Sequence, residues 1–292
     1  MNKSLFYGTS FAIITLSVLI VFFITREQTL TLNKQPLISV VVTSYNYEKF
    51  IDKTLKSILN QSYKNYEVVV IDDGSKDKSI DVIKKYTTKY KNFHLYTHDD
   101  NQNRGLIESV KLGVSKSSGD YVAFLESDDY WHKDNLLEKV KMINKYDDVF
   151  FISNGVEVFG ESDSVAVRNA YIKRVKQLLF KDKNVIHPLQ ISTNFNPIPT
   201  FSCIMIKKEV LDNLDYNTTI PEFLDYWLYR QILLYNPLFH VKKKLTFWRQ
   251  HGSSYNSIER FEKNLQNFDD FFNANNSVIF SDKLKLKKYT PF

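Results

Sequence analysis

Strand-like and helix-like segments alternate from residue 37 to about residue 150, and this alternation limits the possible folds more than any other feature of the chain. The strand-like runs are rich in β-branched and aromatic residues: "LISVVVTSYN" (37–46), "YEVVVIDDGS" (66–75), "NFHLYTH" (92–98) and "YVAFLE" (121–126). The stretches between them have helical periodicity; in the first, Phe50, Ile51, Leu55, Ile58 and Leu59 form one apolar stripe. The pattern predicts an α/β fold with a mainly parallel sheet flanked by helices.

Three of these predicted strands end in polar residues, "TSYN" (43–46), "DDGS" (72–75) and "ESDD" (126–129). In open sheets of this kind, ligands bind beyond the carboxyl ends of the strands. We therefore expect the three polar endings to form one site.

The "ESDD" ending places three carboxylates, Glu126, Asp128 and Asp129, at the end of a buried strand. Carboxylates repel one another and resist losing water, so such a cluster is typical of a site for a cation or a sugar. The alternative is an acidic N-cap for the predicted helix "HKDNLLEKVKMINKY" (132–146).

Beyond residue 150 the alternation is less regular, and we see no internal repeat and no linker to a second domain. The segments predicted there are a strand pair (149–159), a helix (171–180), a strand (201–206), a helix (207–214), a helix (221–235), a strand and turn (243–254) and a closing amphipathic helix (257–272).

The N-terminus contains an uncharged run from Leu5 to Ile24, between Lys3 and Arg26. About 20 residues at the helical rise span the roughly 30 Å hydrocarbon core of a bilayer. We expect an uncleaved membrane anchor rather than a cleaved signal peptide, because no pair of small residues suited to cleavage follows the run. The charges on its two sides do not decide its orientation.

The cysteine count, the net charge and the short motifs limit the kinds of site and partner that the chain can have. The single Cys203 rules out an internal disulfide and a Cys-based metal site. A net charge of +6 favours an anionic partner, which a nucleotide or a phospholipid surface would satisfy as well as nucleic acid. The chain has no H-E-x-x-H, G-x-S-x-G or G-K-[ST] motif.

The ordered segments resemble the inverting family 2 glycosyltransferases of GT-A fold. The resemblance covers about residues 37–255 and is carried by "SVVVTSYNYEKFIDKTLKSILNQSYKNYEVVVIDDGSKDKS" (39–79), "GDYVAFLESDDYW" (119–131) and "WRQHGSS" (248–254). It implies a Rossmann-like domain over 37–256, with a nucleotide-sugar half (37–150) and an acceptor half (151–256). Outside this domain we expect an N-terminal tip (1–4), the anchor (5–24), a stem (25–36), and a C-terminal helix with a basic tail (257–292).

The resemblance assigns nucleotide-sugar binding to residues of the three strand endings and of two later segments: Thr43, Tyr45, Asp72, Asp73, Arg104, Glu126, Asp128 and Arg249. Some have structural alternatives. Asp72 could instead fix the turn, Tyr45 could be a half-buried aromatic that caps the sheet, and Arg104 could be an ordinary surface residue.

The resemblance also implies a metal site, with Mn²⁺ or Mg²⁺ held by Asp128, Asp129 and His251. Hard oxygen ligands suit these ions, which are often bound by one or two carboxylates together with substrate phosphates. Glu126 stands where the family has Asp, so whether it contacts the ribose or the metal is left open. His251 could equally be structural.

The family places an E-D pair at the start of a helix, and here Asp225 follows Leu224. Asp225 is the candidate general base, with Glu222 as the alternative; an Asp in a first helical turn could also serve only the helix dipole.

The resemblance implies a metal-dependent, inverting transfer of a sugar from a nucleoside-diphosphate sugar to a hydroxyl of a glycan, lipid-linked or protein acceptor, without nucleic acid. We expect the acceptor to contact "NFNPIPTFS" (194–202). The alternative is an inactive nucleotide-sugar or glycan binder on the same fold, to which the departures at Glu126 and Leu224 point.

Overall fold

The protein is described here from a computed structural model covering residues 32–176, 180, 184–186, 198–217 and 224–252, with only the backbone of 162–164 and 174. From Lys34 onward the chain forms one compact unit. The predicted anchor (5–24), the closing helix and the basic tail (257–292) lie outside the described residues, as does Glu222. Within the described ranges, no helix has the length and apolar character needed to cross a bilayer.

The first half of the unit confirms the predicted alternation. Four parallel strands form one side of the sheet: β1 (Ile38–Ser44), β2 (Tyr66–Asp72), β3 (Phe93–Thr97) and β4 (Tyr121–Glu126). Three helices connect them: α1 (Ile51–Leu59), α2 (Ser79–Lys89) and α3 (Gly105–Lys116). Strands β1, β2 and β4 are almost continuously buried, which explains their unbroken apolar runs.

The second half contributes shorter and more varied elements. In chain order they are β5 (Tyr130–Trp131), α4 (Asn135–Lys145), β6 (Phe151–Gly160), α5 (Ser162–Val175), β7 (Val185–Ile186), a 3₁₀ turn (Phe201–Cys203), β8 (Ile204–Lys207), α6 (Lys208–Leu211), α7 (Leu224–Leu233) and β9 (Leu238–Gln250).

The described strands form one sheet in the order β3-β2-β1-β4-β8-β6-β9-β5, with β7 paired to β9. Strands β1–β4 form the continuous parallel sheet that we expected, but the rest of the sheet is not mainly parallel. Strand β8 is antiparallel to both β4 and β6, β9 is parallel to β6, and β5 is antiparallel to β9. The sheet is therefore mixed, because β8 inserts between the two parallel groups.

Two local predictions need correction. Residues 149–159 contain one long strand, β6, rather than a strand pair; a bulge at Gly155, where a Cβ would lie 2.8 Å from the Lys243 carbonyl oxygen, lets the strand continue beside β9. The predicted strand 201–206 begins as a 3₁₀ turn, because the Thr200 hydroxyl accepts a hydrogen bond from the Ser202 amide.

The register of the sheet brings the three polar strand endings together. Thr43 of β1 lies opposite Glu126 of β4, and Ser44 lies opposite Asp72 of β2. Because all three strands run in the same direction, their carboxyl ends meet at one edge. The fold therefore brings the three polar endings to one edge of the sheet.

Candidate active site

A cavity of about 470 Å³ opens at the carboxyl ends of β1, β2 and β4. This volume falls within the range usual for small-molecule sites, about 300–1,000 Å³. Its lining includes six of the residues singled out from sequence, together with Asp225 from α7: Thr43, Tyr45, Asp73, Glu126, Asp128 and Arg249. Pro199, Thr200 and Phe201, from the expected acceptor segment, also line it; residues 194–197 of that segment lie outside the described ranges.

The loop after β1 is fixed by hydrogen bonds to the turn after β2. The Asn46 amide donates to Ser75 Oγ (2.9 Å), and the Lys76 amide donates to Asn46 Oδ1 (2.7 Å). Within this fixed loop, Tyr45 keeps 41% of its surface exposed at the cavity wall. An exposed aromatic on a rigid loop is suited to contact a planar ligand.

Asp72 holds the turn after β2. Its two carboxylate oxygens accept hydrogen bonds from the Ser75 amide (2.8 Å) and the Ser75 hydroxyl (2.7 Å), and its side chain is completely buried. It does not line the cavity. Of the two roles that the sequence allowed for Asp72, the structure therefore favours the structural one.

Asp73, the next residue, points to the cavity and binds the start of α3. Its Oδ1 accepts a hydrogen bond from the Arg104 amide (2.7 Å), and its Oδ2 accepts one from the Gly105 amide (2.9 Å). A carboxylate is stabilised at a helix N-terminus by the unpaired amides and the helix dipole. Asp73 therefore joins β2 to α3 at the cavity wall.

The Arg104 side chain does not reach the cavity. Its guanidinium forms an exposed ion pair with Asp100 (2.5 Å), and only its backbone amide takes part in the site. Arg104 was expected to bind nucleotide oxygens; the structure gives its side chain the surface role that the sequence also allowed, because the nearby Asp100 holds it.

His98 is a residue of the site that the sequence did not indicate. Its Nε2 lies 3.2 Å from Asp73 Oδ1 and 3.1 Å from Ser109 Oγ, and its side chain is only 12% exposed. It braces the Asp73 carboxylate from behind the cavity wall. A single His with no recognisable motif gave no signal for this contact, which forms only when β3 and α3 meet.

Glu126 lies at the end of β4 and is partly buried against the 3₁₀ turn. Its Oε2 accepts a hydrogen bond from the Thr200 hydroxyl (2.8 Å), and its amide donates to Ser202 Oγ (3.0 Å). Burial raises the pKa of Glu126 to about 8, and the charges of Asp128 and Asp225 also raise it. Burial therefore disfavours the charged form of this side chain.

Asp128 and His251 face each other in the site, with 3.0 Å between Asp128 Oδ2 and His251 Nε2. Both side chains are about 12% exposed. The His251 ring also packs against Phe50, with 4.9 Å between ring centroids. Two of the three candidate metal ligands, Asp128 and His251, are thus in contact.

Asp129 is turned away from the cavity and is 1% exposed. Its Oδ1 accepts a hydrogen bond from the Arg249 amide (2.8 Å), and its Oδ2 has no hydrogen-bond partner in the described part of the chain. Burial and the charges of Asp128 and Glu126 raise the pKa of Asp129 well above its usual range. The structure thus does not bring Asp129 to the expected metal site, because its backbone enters β5 and directs the side chain into the core.

Arg249 lies near the end of β9 and lines the cavity. Its Nε donates to the Asp128 carbonyl oxygen (2.9 Å), and its guanidinium lies against the rings of Phe50 and Phe159, 4.7 and 4.6 Å from their centroids. These contacts hold a permanent positive charge at the cavity, as the sequence predicted.

Asp225 is in the first turn of α7 and lines the cavity. Its Oδ1 accepts a hydrogen bond from the Tyr226 amide (2.7 Å). Its charge raises the pKa of Glu126, so the two carboxyl groups act on each other across the cavity. This placement is compatible with both roles considered for Asp225: a general base, or a carboxylate that only stabilises the helix dipole.

The fit of the site to a divalent metal rests on two side chains. Asp128 lines the cavity, and His251 lies behind it, with its imidazole nitrogen in hydrogen-bond contact with the Asp128 carboxylate. In the described residues there is no group of three or more His, Cys, Asp or Glu side chains arranged to hold a metal. The pair suits an ion that completes its shell with substrate phosphates and water, as Mg²⁺ and Mn²⁺ do.

Comparison with known proteins agrees with this geometry. Residues 39–215 match the family described as Glycosyl transferase family 2. A Haemophilus influenzae protein described as an uncharacterized glycosyltransferase is 27% identical over 232 residues, which cover 78% of this chain and 70% of that protein.

Two solved structures have a similar fold. S. aureus TarS 1-349 in complex with UDP-GlcNAc has a TM-score of 0.59 and 21% identity, covering 79% of this chain and 65% of the TarS 1-349 chain. The mannosyltransferase PcManGT of Pyrobaculum calidifontis, in complex with GDP-Man and Mn²⁺, has a TM-score of 0.59 and 16% identity, covering 84% of this chain and 65% of PcManGT. This chain thus spans about two thirds of the length of each.

Proposed function

Because the chain belongs to glycosyl transferase family 2 and has the GT-A α/β fold with a mixed sheet, we propose that its cavity binds a nucleoside-diphosphate sugar and transfers the sugar to an acceptor hydroxyl with inversion. The single observation that carries the proposal is the convergence of Asp73, Asp128, Arg249 and Asp225 on one cavity at the carboxyl ends of the parallel strands. The titles of the two similar structures name a UDP sugar and a GDP sugar, which defines the donors to test first.

The nucleotide would contact the β1, β2 and α3 side of the cavity. Tyr45 offers an exposed ring for the base, and Asp73 offers carboxylate lone pairs that its two amide contacts leave available. Arg249 offers a fixed cation for the diphosphate. Glu126 offers a carboxyl group for a hydrogen bond with a donor hydroxyl.

Asp128 and His251 would hold a divalent metal. Mn²⁺ or Mg²⁺ bound there would neutralise the negative charge that builds on the departing diphosphate. Two protein ligands are enough, because the diphosphate and water complete the shell.

Asp225 would act as the general base. In the proposed reaction the acceptor oxygen forms a bond to the anomeric carbon as the bond from that carbon to the diphosphate oxygen breaks. The acceptor proton passes to the Asp225 carboxylate, and the electron pair of the broken bond leaves with the diphosphate. Attack from the face opposite the leaving group gives inversion. Asp225 is well placed because it enters the cavity from α7.

The test is hydrolysis of a panel of UDP and GDP sugars by the full chain, with Mn²⁺ and with EDTA. We expect metal-dependent release of nucleoside diphosphate from at least one donor, strongly reduced by Asp225→Asn while donor binding is kept. Asp212→Asn, at an exposed carboxylate that pairs with Lys208, is the matched control and should leave the rate unchanged. Donor binding without turnover under any of these conditions would instead support the inactive binder.

We also propose that residues 5–24 anchor the enzyme in a membrane by a single span, on the basis of their uncharged sequence alone. Fractionation of cells that express the full chain and a version starting at Gln35 tests this. The full chain should sediment with membranes and resist extraction by high salt; equal solubility of both would contradict the proposal.

A further inference from the structure

Beside the cavity, one face of the sheet edge formed by β6, β9 and β5 carries several aromatic side chains. The exposed Glu157 of β6, which pairs with Lys244, also lies on this face, opposite Phe247. Tyr130 of β5 lies opposite Phe247 of β9, and Phe159 of β6 lies opposite Arg249 of β9. Side chains two residues apart on a strand share a face, so Phe247 and Arg249 point to the same side. All four are only partly buried.

These rings form a continuous surface. The rings of Tyr130 and Phe247 stack at 4.5 Å with an interplanar angle of 11°, and Tyr130 meets Phe159 edge-on at 5.3 Å. Together with Phe50 of the loop before α1, they surround the Arg249 guanidinium and continue to the cavity that Arg249 lines. A partly exposed aromatic surface suits the apolar C–H groups of a sugar ring.

Two cations lie on this aromatic surface. Lys53 of α1 places its Nζ 3.6 Å from the Tyr130 ring centroid and 5.6 Å from that of Phe159, and the Arg249 guanidinium lies 4.6 Å from the Phe159 centroid. Neither cation has a carboxylate within ion-pair distance in the described residues. By contrast, Lys56, one turn further along α1, pairs with Asp52 at 2.6 Å.

The two positive charges affect each other. Burial lowers the pKa of Lys53, and the Arg249 charge lowers it further. Two like charges held close together, without an acidic partner among the described groups, are stabilised by a bound anion. We call Phe50, Lys53, Tyr130, Phe159, Phe247 and Arg249 the cationic–aromatic patch.

We infer that the cationic–aromatic patch binds the acceptor, and that the acceptor is a carbohydrate that carries negative charge, as phosphate or carboxylate groups. The inference rests on the proposed function, because the patch meets the donor cavity at Arg249. The rings would receive the face of an acceptor sugar, and Lys53 would bind an anionic group near it. The acceptor hydroxyl would then enter the cavity from this edge.

The experiment measures binding of three oligosaccharides of equal length to the full chain: maltohexaose, maltohexaose phosphorylated at its 6-positions, and hexagalacturonate. We expect at least one charged oligosaccharide to bind about threefold to tenfold more tightly than maltohexaose at low ionic strength, as for one partly exposed charge contact, and less so when salt is added. The charged oligosaccharide that binds more tightly identifies phosphate or carboxylate as the group recognised.

Variants assign the preference to the patch. Lys53→Gln should remove the preference for charged oligosaccharides, and Lys53→Arg should retain it, because the charge remains over the rings. Lys56→Gln makes the same charge change on the same helix and should have no effect on the preference. A wild-type protein with no charge preference would overturn the inference, and so would a Lys56→Gln variant that loses the preference as fully as Lys53→Gln.

Titration of UDP and GDP separates this inference from the proposed function. We expect Lys53→Gln to bind the nucleoside diphosphate as the wild type does. If Lys53→Gln weakens that binding instead, Lys53 belongs to the donor site and the inference about the acceptor is wrong. If the wild type binds neither nucleotide, the proposed function fails, whatever the oligosaccharides do.

Discussion

Replacing Glu126 by Gln should stabilise the protein at alkaline pH and have little effect at acidic pH. The pKa of Glu126 rises from its ordinary 4.5 to about 8 in the folded state, mainly because of burial. Between these values the folded state binds the proton and the unfolded chain releases it. Wild-type stability contributed by this group is therefore fully present below pH 4.5 and is lost as pH rises towards 8.

The size of this effect follows from the pKa difference. A change from 4.5 to about 8 corresponds to an upper limit of about 5 kcal/mol. The titrations of Glu126 and Asp129 are coupled, because the Glu126 charge also raises the pKa of Asp129, so only part of this limit belongs to Glu126. We therefore expect Glu126→Gln to raise the free energy of unfolding at alkaline pH by several kcal/mol. Gln keeps the shape of the side chain and can accept the hydrogen bond from the Thr200 hydroxyl, but it cannot ionise.

The assay is urea unfolding of wild type and Glu126→Gln at a series of pH values from below 4.5 to above 8. The free energy of unfolding of the variant should exceed that of the wild type by an amount that grows across this range. Glu209→Gln, at an exposed glutamate paired with Lys207, serves as control and should follow the wild type. If the free energies of unfolding of wild type and Glu126→Gln change with pH in parallel, the raised pKa of Glu126 is refuted.

Three further variants test other parts of the structure. Gly74→Ala should lower the free energy of unfolding by about 1–3 kcal/mol, since Gly74 has φ +77 and a Cβ would lie 2.8 Å from the Asn101 carbonyl oxygen; urea unfolding measures this. Lys139→Met should stabilise the protein most below pH 7 and less as pH approaches 10.5. Burial lowers the pKa of Lys139 from 10.5 to about 7 in the folded state, so the wild type becomes more stable as pH rises between these values and the unfolded chain loses the proton that it binds there. Urea unfolding at several pH values checks the sign. Arg104→Gln should change nucleoside-diphosphate affinity by less than about threefold, measured by calorimetry, because its guanidinium is exposed and paired with Asp100.

The sequence predicted the nucleotide half of the fold well because local patterns determine it. The strands β1, β2 and β4 are buried on both faces, so each reads as a continuous apolar run, and the polar endings identify the edge where the cavity opens. The mixed order of the sheet could not be read in this way. It depends on β8 inserting between β4 and β6, a long-range pairing that leaves no local pattern in the chain.

Positions at the cavity were predictable where a side chain leaves a strand end directly into it, as for Asp73, Asp128 and Arg249. They were not predictable where contacts with residues distant in sequence decide the direction in which a side chain points. Asp129 follows Asp128 in sequence but turns inward to the Arg249 amide, and His98 reaches Asp73 only through the meeting of β3 and α3. The roles of Asp225 as base and of the metal remain predictions that turnover must test.

Calorimetric titration of UDP and of GDP into the full, folded chain, with Mn²⁺ and with EDTA, tests the central claim most directly. The account predicts saturable binding of at least one nucleoside diphosphate, weakened by EDTA and by Asp128→Asn, because the cavity at the strand ends holds the diphosphate. Absence of binding of either nucleotide, with or without the metal, to protein that is shown to be folded would contradict the account.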